Sequence, residues 1–432
     1  MVRSLCSDDA TLQVSSLFGV HIWQATSTTD VLMRVLTFSW EFPPKKNGGL
    51  GVACYGLVRA LMDRNIEIIF VLPKVQPVVL LTNVIFANVY ESVALSPSTT
   101  TLGSYGSSHT KVSVLNRSGV ANGSARTVLE EVHFFAHRAA AIAQTEQFDI
   151  IHAHDWTSYT AGVAAKIASG KPLIVHAHAT AFDQAAGDHV DPSVFTIEKE
   201  AFEIADKIIA VSNFTKNIIV AKYGIPAEKI VVVYNGCDAN EPERHQVVLH
   251  KLKSRGTKIV LYHGRITIQK GVDYLIAAAR KVVDVERNVV FIVSGWGDMS
   301  EQVMRQVASL GLSTHFIFTG PLWDAERDQM YQSADLVVMP SVSEPFGLVP
   351  LESIRHGTPV LISKQSGVSE VLTHVLKVDF WDVNEMADKI VAALRFPVMH
   401  AQLKTSSKHE AARMSWSAAA KHVASLYSEL TT

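Results

Sequence analysis

Cysteine is scarce in this chain. Only Cys6, Cys54 and Cys237 occur among 432 residues. Their number is odd and no two have metal-ligand spacing, which suits a reducing compartment better than a disulfide framework, so the cytoplasm is the expected location. Long apolar runs are missing as well. The longest, around 66 to 85, is broken by Pro73, Lys74 and Pro77, short of the roughly 18 residues that a membrane helix needs. The first residues lack the basic start and apolar core of a signal peptide. Neither charge sign dominates: 39 Lys and Arg stand against 41 Asp and Glu, a formal net charge of −2. No broad basic surface follows, which argues against nucleic acid as the main partner. The chain has no GxGxxG fingerprint, which disfavours a nicotinamide cofactor. It also has no Asp-x-Asp pair, a common divalent-cation motif.

What is present is an alternation. Strand-like apolar runs and amphipathic helical runs succeed one another almost throughout, the pattern of a parallel sheet covered by helices. MRVLTFSW, IEIIFVLP, FDIIHAH, PLIVHAH, KIIAVS and KIVVVY read as strands of a first half. KIVLYHGR, VVFIVSG, HFIFTG and DLVVMPS read as strands of a second. Helices are expected near 50–65, 125–146, 156–169, 194–205, 213–222, 271–284, 300–310, 325–333 and 384–395, with one more in the tail SWSAAAKHVASLYSEL. The polar run NGCDANEPERHQ, with Gly236 and Pro242, is the best linker. Residues 1–32 carry no clear period, and residues 75–123, rich in Ser, Thr and Asn, lose the pattern. The chain therefore reads as two doubly wound α/β domains, with 432 residues and 48% hydrophobic content enough for a core in each.

The distinctive residues fall in loops after strands, where open α/β sheets bind ligands. Gly48, Gly49 and Gly51 open a helix; they read either as a phosphate-approaching loop or as a plain tight turn. HAHDW places Asp155 and Trp156 after a strand, and Trp156 reads either as a sugar-stacking ring or as a core residue. GRITIQKG carries Arg265 and Lys270, two cations suited to a departing diphosphate, or else a solvated pair. SVSEPFGLVPLESIRHGTPV carries Glu344 in a strand-to-helix loop and Glu352 about two turns further on. Gly347 precedes that helix, Pro350 is tolerated in its first turn, and Gly357 with Pro359 ends it. One glutamate suits sugar hydroxyls and the other a ribose, with a diphosphate at the helix N-terminus between them. The histidine pairs His152/His154 and His176/His178 admit a metal-dependent hydrolase, since strand residues two apart share a face. The preferred reading keeps His152 and His176 in the core and brings the last histidine of each pair to the ligand.

Together WEFPP…GGLG, HAHDW, VSNFTKNIIVAKYGIPAEKI, VVYNGCD, GRITIQKG, SGWGD and EPFGLVPLE resemble retaining GT-B glycosyltransferases of the family 4, glycogen-synthase-like kind, from about Met33 to Leu430. The resemblance implies two Rossmann-like domains facing across a cleft: 33–240 for the acceptor, 241–405 for the donor, after an irregular lead-in over 1–32. A C-terminal helix in 406–432 would cross back to the first domain. It implies donor contacts from Gly48, Gly49, Gly51, Arg265, Lys270, Gly295, Gly347, Leu348 and Glu352. His178, Glu344, Arg265 and Lys270 would form the reaction centre, and Asp155 and Trp156 would face the acceptor. No cofactor or metal is implied; the partners are an ADP-, UDP- or GDP-sugar and a carbohydrate acceptor. The activity expected is retaining transfer of a hexose, glucose onto an α-glucan foremost. A sugar-nucleotide epimerase and an inactive sugar-nucleotide-binding protein share the architecture. The family often has a glutamate where this chain has Ala181, and residues 75–123 match poorly.

Overall fold

The computed structural model describes residues 33–43, 48–74, 83–87, 111–112, 126–237 and 249–432. The lead-in over 1–32 and most of the expected linker and of the pattern-poor 75–123 segment lie outside them. The first strands are β1 Met33–Phe38, β2 Ile66–Leu72 and β3 Asn83–Phe86, with α1 Gly49–Met62 between the first two. A short antiparallel pair, β4 Lys111–Val112 and β5 Arg126–Thr127, precedes α2 Val128–Thr145. Then come β6 Ile150–His154, α3 Trp156–Ser169, β7 Leu173–Ala177, α4 Ala181–Ala185, α5 Pro192–Ile204, β8 Lys207–Ala210, α6 Asn213–Tyr223 and β9 Ile230–Val232. The strand order in this first sheet is β3-β2-β1-β6-β7-β8-β9.

After the short α7 His250–Lys253 the alternation restarts: β10 Lys258–His263, α8 Val272–Val285, β11 Val289–Ser294, α9 Ser300–Ser309, β12 Phe316–Gly320, α10 Asp324–Ser333, β13 Leu336–Met339 and α11 Leu348–Arg355. β14 Val360–Ser363, β15 Leu376–Val378, α12 Val383–Arg395, α13 Pro397–Ala411 and α14 Trp416–Thr431 complete it. The second sheet is parallel throughout, in the order β12-β11-β10-β13-β14-β15. The fold is α/β with two Rossmann-like halves.

Parallel strands covered on both faces should be apolar almost continuously, and they are. In β10 the alternation sends Val260 and Tyr262 into one core cluster, with α8 and α12. Ile259 and Leu261 go to the other, with Leu351 and Ile354 of α11. Where a strand runs out of this two-sided burial, its last residues reach the loop that carries chemistry.

Several elements went unread in sequence. The strands β14 and β15, four and three residues long, are among them. The helix α13 begins at Pro397; proline is at home in the first helical turn, where no intrahelical N–H bond is lost.

By internal packing the chain divides into two compact units, one reaching Leu173 and including Tyr427–Thr432, the other Ile174–Leu426. Within the first, the end of α14 rejoins the early strands: His152 Nδ1 lies 2.6 Å from Tyr427 Oη, both groups buried. Tyr427→Phe keeps the ring and removes that hydroxyl. It should lower unfolding free energy by about 1–2 kcal/mol in urea titration, the usual cost of one buried hydrogen bond; an unchanged midpoint would mean that the tail does not draw stability from it.

Candidate functional site

The unit from Ile174 to Leu426 brings together most of the residues singled out in sequence. The loop after β10 carries both cations. Arg265 donates from Nη2 to Gln269 Oε1 at 3.1 Å, and Tyr262 Oη donates to the Arg265 carbonyl at 2.5 Å. The loop closes at Gly271, whose φ is +62° and whose added Cβ would lie 2.2 Å from the Pro340 carbonyl oxygen. The Gln269 carbonyl accepts from Val342 N–H at 2.9 Å and Ser343 N–H at 3.4 Å. The cation loop and the loop after β13 are thus stitched backbone to backbone.

Across that seam Lys270 Nζ meets Glu344 Oε2 at 2.6 Å, with 19% and 11% of the two side chains exposed. Ser341 Oγ donates to the same oxygen at 3.0 Å. The Glu344 backbone is held too: its N–H donates to Gln365 O, and its carbonyl accepts from Gly367 N–H. A lysine and a glutamate this far out of water attract strongly, and either would be costly to leave alone.

Glu352 belongs to a second polar cluster. Its Oε2 accepts from Tyr331 Oη at 2.9 Å, and Arg327 Nη1 stands 3.9 Å from Oε1. Arg327 also pairs with Asp328 at 2.8 Å, and His356 Nε2 is 3.6 Å from the same carboxylate. Burial alone would raise the Asp328 pKa, but the polar contacts with His356 and Arg327 outweigh it and hold the group at about 2. His263, at the end of β10, packs edge-on against Tyr331, and burial lowers its pKa to about 4.

The glycines divide by cause. Gly347 caps α11 at φ +102° and has no side chain to offer the first-turn N–H groups. Gly295, expected at the donor, has φ +142° and would bring a Cβ within 1.8 Å of the Gly264 carbonyl oxygen, so close backbone approach already requires it. Leu348, at the start of α11, is half-buried and packs against the core cluster beneath. In the other unit, Gly48 is extended at φ −178°, a conformation open to any residue. A Cβ on Gly49 would meet nothing within 4 Å. Packing therefore does not demand glycine at 49.

Also in that unit, Trp156 is completely buried. The sugar-stacking reading is corrected: the indole is a core residue at the start of α3. Asp155 before it is buried and sits at φ +59°, a strained backbone for a residue with a side chain. The rings of His152 and His154 lie 4.2 Å apart and those of His176 and His178 4.1 Å apart, so each pair shares a face. All four are buried, and His178, at 9%, is the most exposed of them.

Sequence reasoning missed two carboxylates around His178. Thr180 and Asp183 form a capping box at α4, and Ser343 Oγ donates to Asp183 Oδ1 at 2.6 Å. Glu198 accepts from Ala181 N–H at 3.1 Å on both oxygens and from Tyr223 Oη. At position 181 this chain offers an alanine amide bound by a buried glutamate from α5. The signal was available: Glu198 interrupts the apolar stripe Val194, Ile197, Ala201, Phe202, and T-x-x-D is a capping pattern.

Burial lowers the His178 pKa from 6.5 to about 3. The imidazole is therefore neutral at pH 7. The unfolded chain takes a proton near pH 6.5 and the folded one does not until about pH 3. Stability from this group is therefore complete above 6.5 and falls as pH drops through that window. His178→Gln should flatten the loss of stability between pH 7 and pH 4.5 in urea titrations; equal slopes for both proteins would refute the neutral buried imidazole.

The comparisons with known proteins agree with this architecture. Residues 47–241 match the family described as Glycosyltransferase Family 4, and residues 249–410 match Glycosyl transferases group 1. An uncharacterized glycosyltransferase of Methanocaldococcus jannaschii is 28% identical over 79% of this chain and 83% of its own length. D-inositol 3-phosphate glycosyltransferase of Streptosporangium roseum is 30% identical over 67% of this chain and 71% of its own. Among solved structures, sucrose-phosphate synthase from Thermosynechococcus elongatus superposes with a TM-score of 0.71 at 20% identity, covering 92% of this chain and 99% of that one. HepE of Anabaena, solved with UDP and glucose, gives 0.68 at 20% identity over 92% and 100%. These likenesses, the two parallel sheets and the matched halves lead to one conclusion: the chain belongs to the family 4, group 1 glycosyltransferases of GT-B fold.

Proposed function

We propose that the protein transfers a hexose from a nucleotide diphosphate sugar to a carbohydrate hydroxyl with retention, glucose onto an α-glucan being the leading case. The observation that carries this is the Lys270–Glu344 pair, which joins the loop after β13 to the loop that also holds Arg265. A diphosphate entering there exchanges for the carboxylate on Lys270, and Glu344 is released to the sugar hydroxyls. Arg265 and Lys270 then face the charge that grows as the sugar–phosphate bond breaks, where fixed cations act most strongly. The α11 N-terminus beyond Gly347 supplies N–H groups to the phosphates. Glu352, oriented by Tyr331, takes the ribose. Neutral His178 donates or accepts a hydrogen bond at the sugar beside the anomeric carbon.

In this reading residues 33–240 serve the acceptor, residues 241–405 the donor, and 406–432 the tail helix, in the cytoplasm. The donor is an ADP-, UDP- or GDP-sugar, and the cations replace a divalent metal. Among the described residues no helix is long and apolar enough to cross a membrane. A second acceptor class is suggested by the relatives named for D-inositol 3-phosphate: a phosphorylated polyol in place of the glucan.

The assay is release of nucleotide diphosphate and formation of glycoside from a panel of nucleotide sugars, with α-glucan or inositol phosphate as acceptor. Lys270→Ala and Arg265→Ala should each fold and lose roughly a hundredfold in transfer, the scale of removing one charge-stabilising group. Wild-type transfer should survive exhaustive chelation. Near-normal rates in both variants, or reversible loss on chelation, would remove the fixed cations from the mechanism; an altered nucleotide sugar without transfer would indicate an epimerase.

A further inference from the structure

Two loops flank the proposed reaction centre from different parts of the chain. One runs from His178 at the end of β7 into α4. The other, 341–347, carries Glu344 between β13 and α11. A direct side-chain bond joins them: Ser343 Oγ donates to Asp183 Oδ1 at 2.6 Å, with Asp183 wholly buried. The other carboxylate oxygen of Asp183 accepts from Thr180 N–H and Thr180 Oγ1, both at 2.8 Å. Asp183 therefore spends one oxygen on the shape of its own loop and the other on the residue next to Glu344.

The rest of the Glu344 loop is fastened elsewhere. Val342 and Ser343 N–H bond to the Gln269 carbonyl, and the Pro345 carbonyl accepts from Ser212 Oγ at 2.5 Å. Those bonds fix the loop to the cation turn and to the start of α6. The bond that fixes it to the His178 loop is the one from Ser343. The α4 helix also packs against the 268–270 turn, so a shift of Asp183 would be felt on both sides of Lys270. A hydrogen bond to a buried carboxylate is among the stronger ones, because its loss leaves the charge undersolvated.

We propose that Asp183 is a positioning residue which, through Ser343, sets Glu344 and Lys270 at the spacing from His178 that transfer needs. It touches no substrate; it acts through the two loops. The inference rests on the transferase reading above. Positioning of reacting groups appears in turnover more than in ground-state binding.

The test is Ser343→Ala, which removes one hydroxyl and leaves the Asp183–Thr180 box intact. It should lower kcat roughly tenfold or more while KM for the nucleotide sugar stays within about twofold. Ser343→Thr, which keeps the hydroxyl, should recover most of the rate. Asp183→Asn combined with Ser343→Ala should be no slower than Asp183→Asn alone. An unchanged kcat in Ser343→Ala, a loss that threonine does not rescue, or losses that multiply in the double variant would overturn the proposal. Should Asp183→Asn fail to fold, the alanine and threonine variants at 343 decide alone. Wild-type protein that turns over no donor would sink the transferase reading instead. The tie would then be judged by the same double-mutant cycle in urea unfolding, where additive effects would remove it and non-additive effects would retain it.

Discussion

The half-buried ion pair between Lys270 and Glu344 is the interaction on which the rest of the site depends. Taking an ammonium and a carboxylate out of water is expensive, and the expense is recovered only by good geometry and further hydrogen bonds. Ser341 supplies one of these to the carboxylate, and the Glu344 backbone is bridged to Ser366. A resting enzyme that must keep a cation ready for a diphosphate has to store it against some anion. Here the stored partner is the group proposed to meet the sugar, so arrival of the donor frees both at once.

Buried or half-buried carboxylates organise the surrounding loops as well. Asp183 ties the Glu344 loop to the His178 loop, and Glu198 fixes the Ala181 amide. Exposed Glu370 accepts from Asn213 N–H, Phe214 N–H and Tyr234 Oη, occupying the α6 N-terminus. Two helix starts in the same unit are thus treated differently. The α6 start is closed by Ser212 and Glu370, while the α11 start beyond Gly347 carries no side-chain cap. Free first-turn N–H groups are what an anionic ligand uses, and the proposed function uses those of α11.

The sheets and their loops were legible in the sequence because burial on both faces writes long apolar runs, and ligand loops follow the strand ends. The pairing of Lys270 with Glu344, 74 positions apart, was not, since no local pattern encodes it. Trp156 was ambiguous for the opposite reason: an indole after a strand looks alike whether it meets sugar or core, and only its complete burial decides. Gly295 read as a ligand glycine, yet the carbonyl of Gly264 demands it. Asp183 and Glu198 carried local signals that were passed over because each also fits an ordinary helix.

Nucleotide diphosphate affinity, measured by calorimetry with UDP, GDP and ADP, tests the stored-cation account most directly. Lys270→Ala should weaken the preferred nucleotide at least about tenfold, as expected for one lost charge-assisted contact. Glu344→Gln removes the competing anion and should bind that nucleotide as tightly as wild type or tighter. The opposite pattern, affinity indifferent to Lys270 and lost with Glu344, would contradict the account.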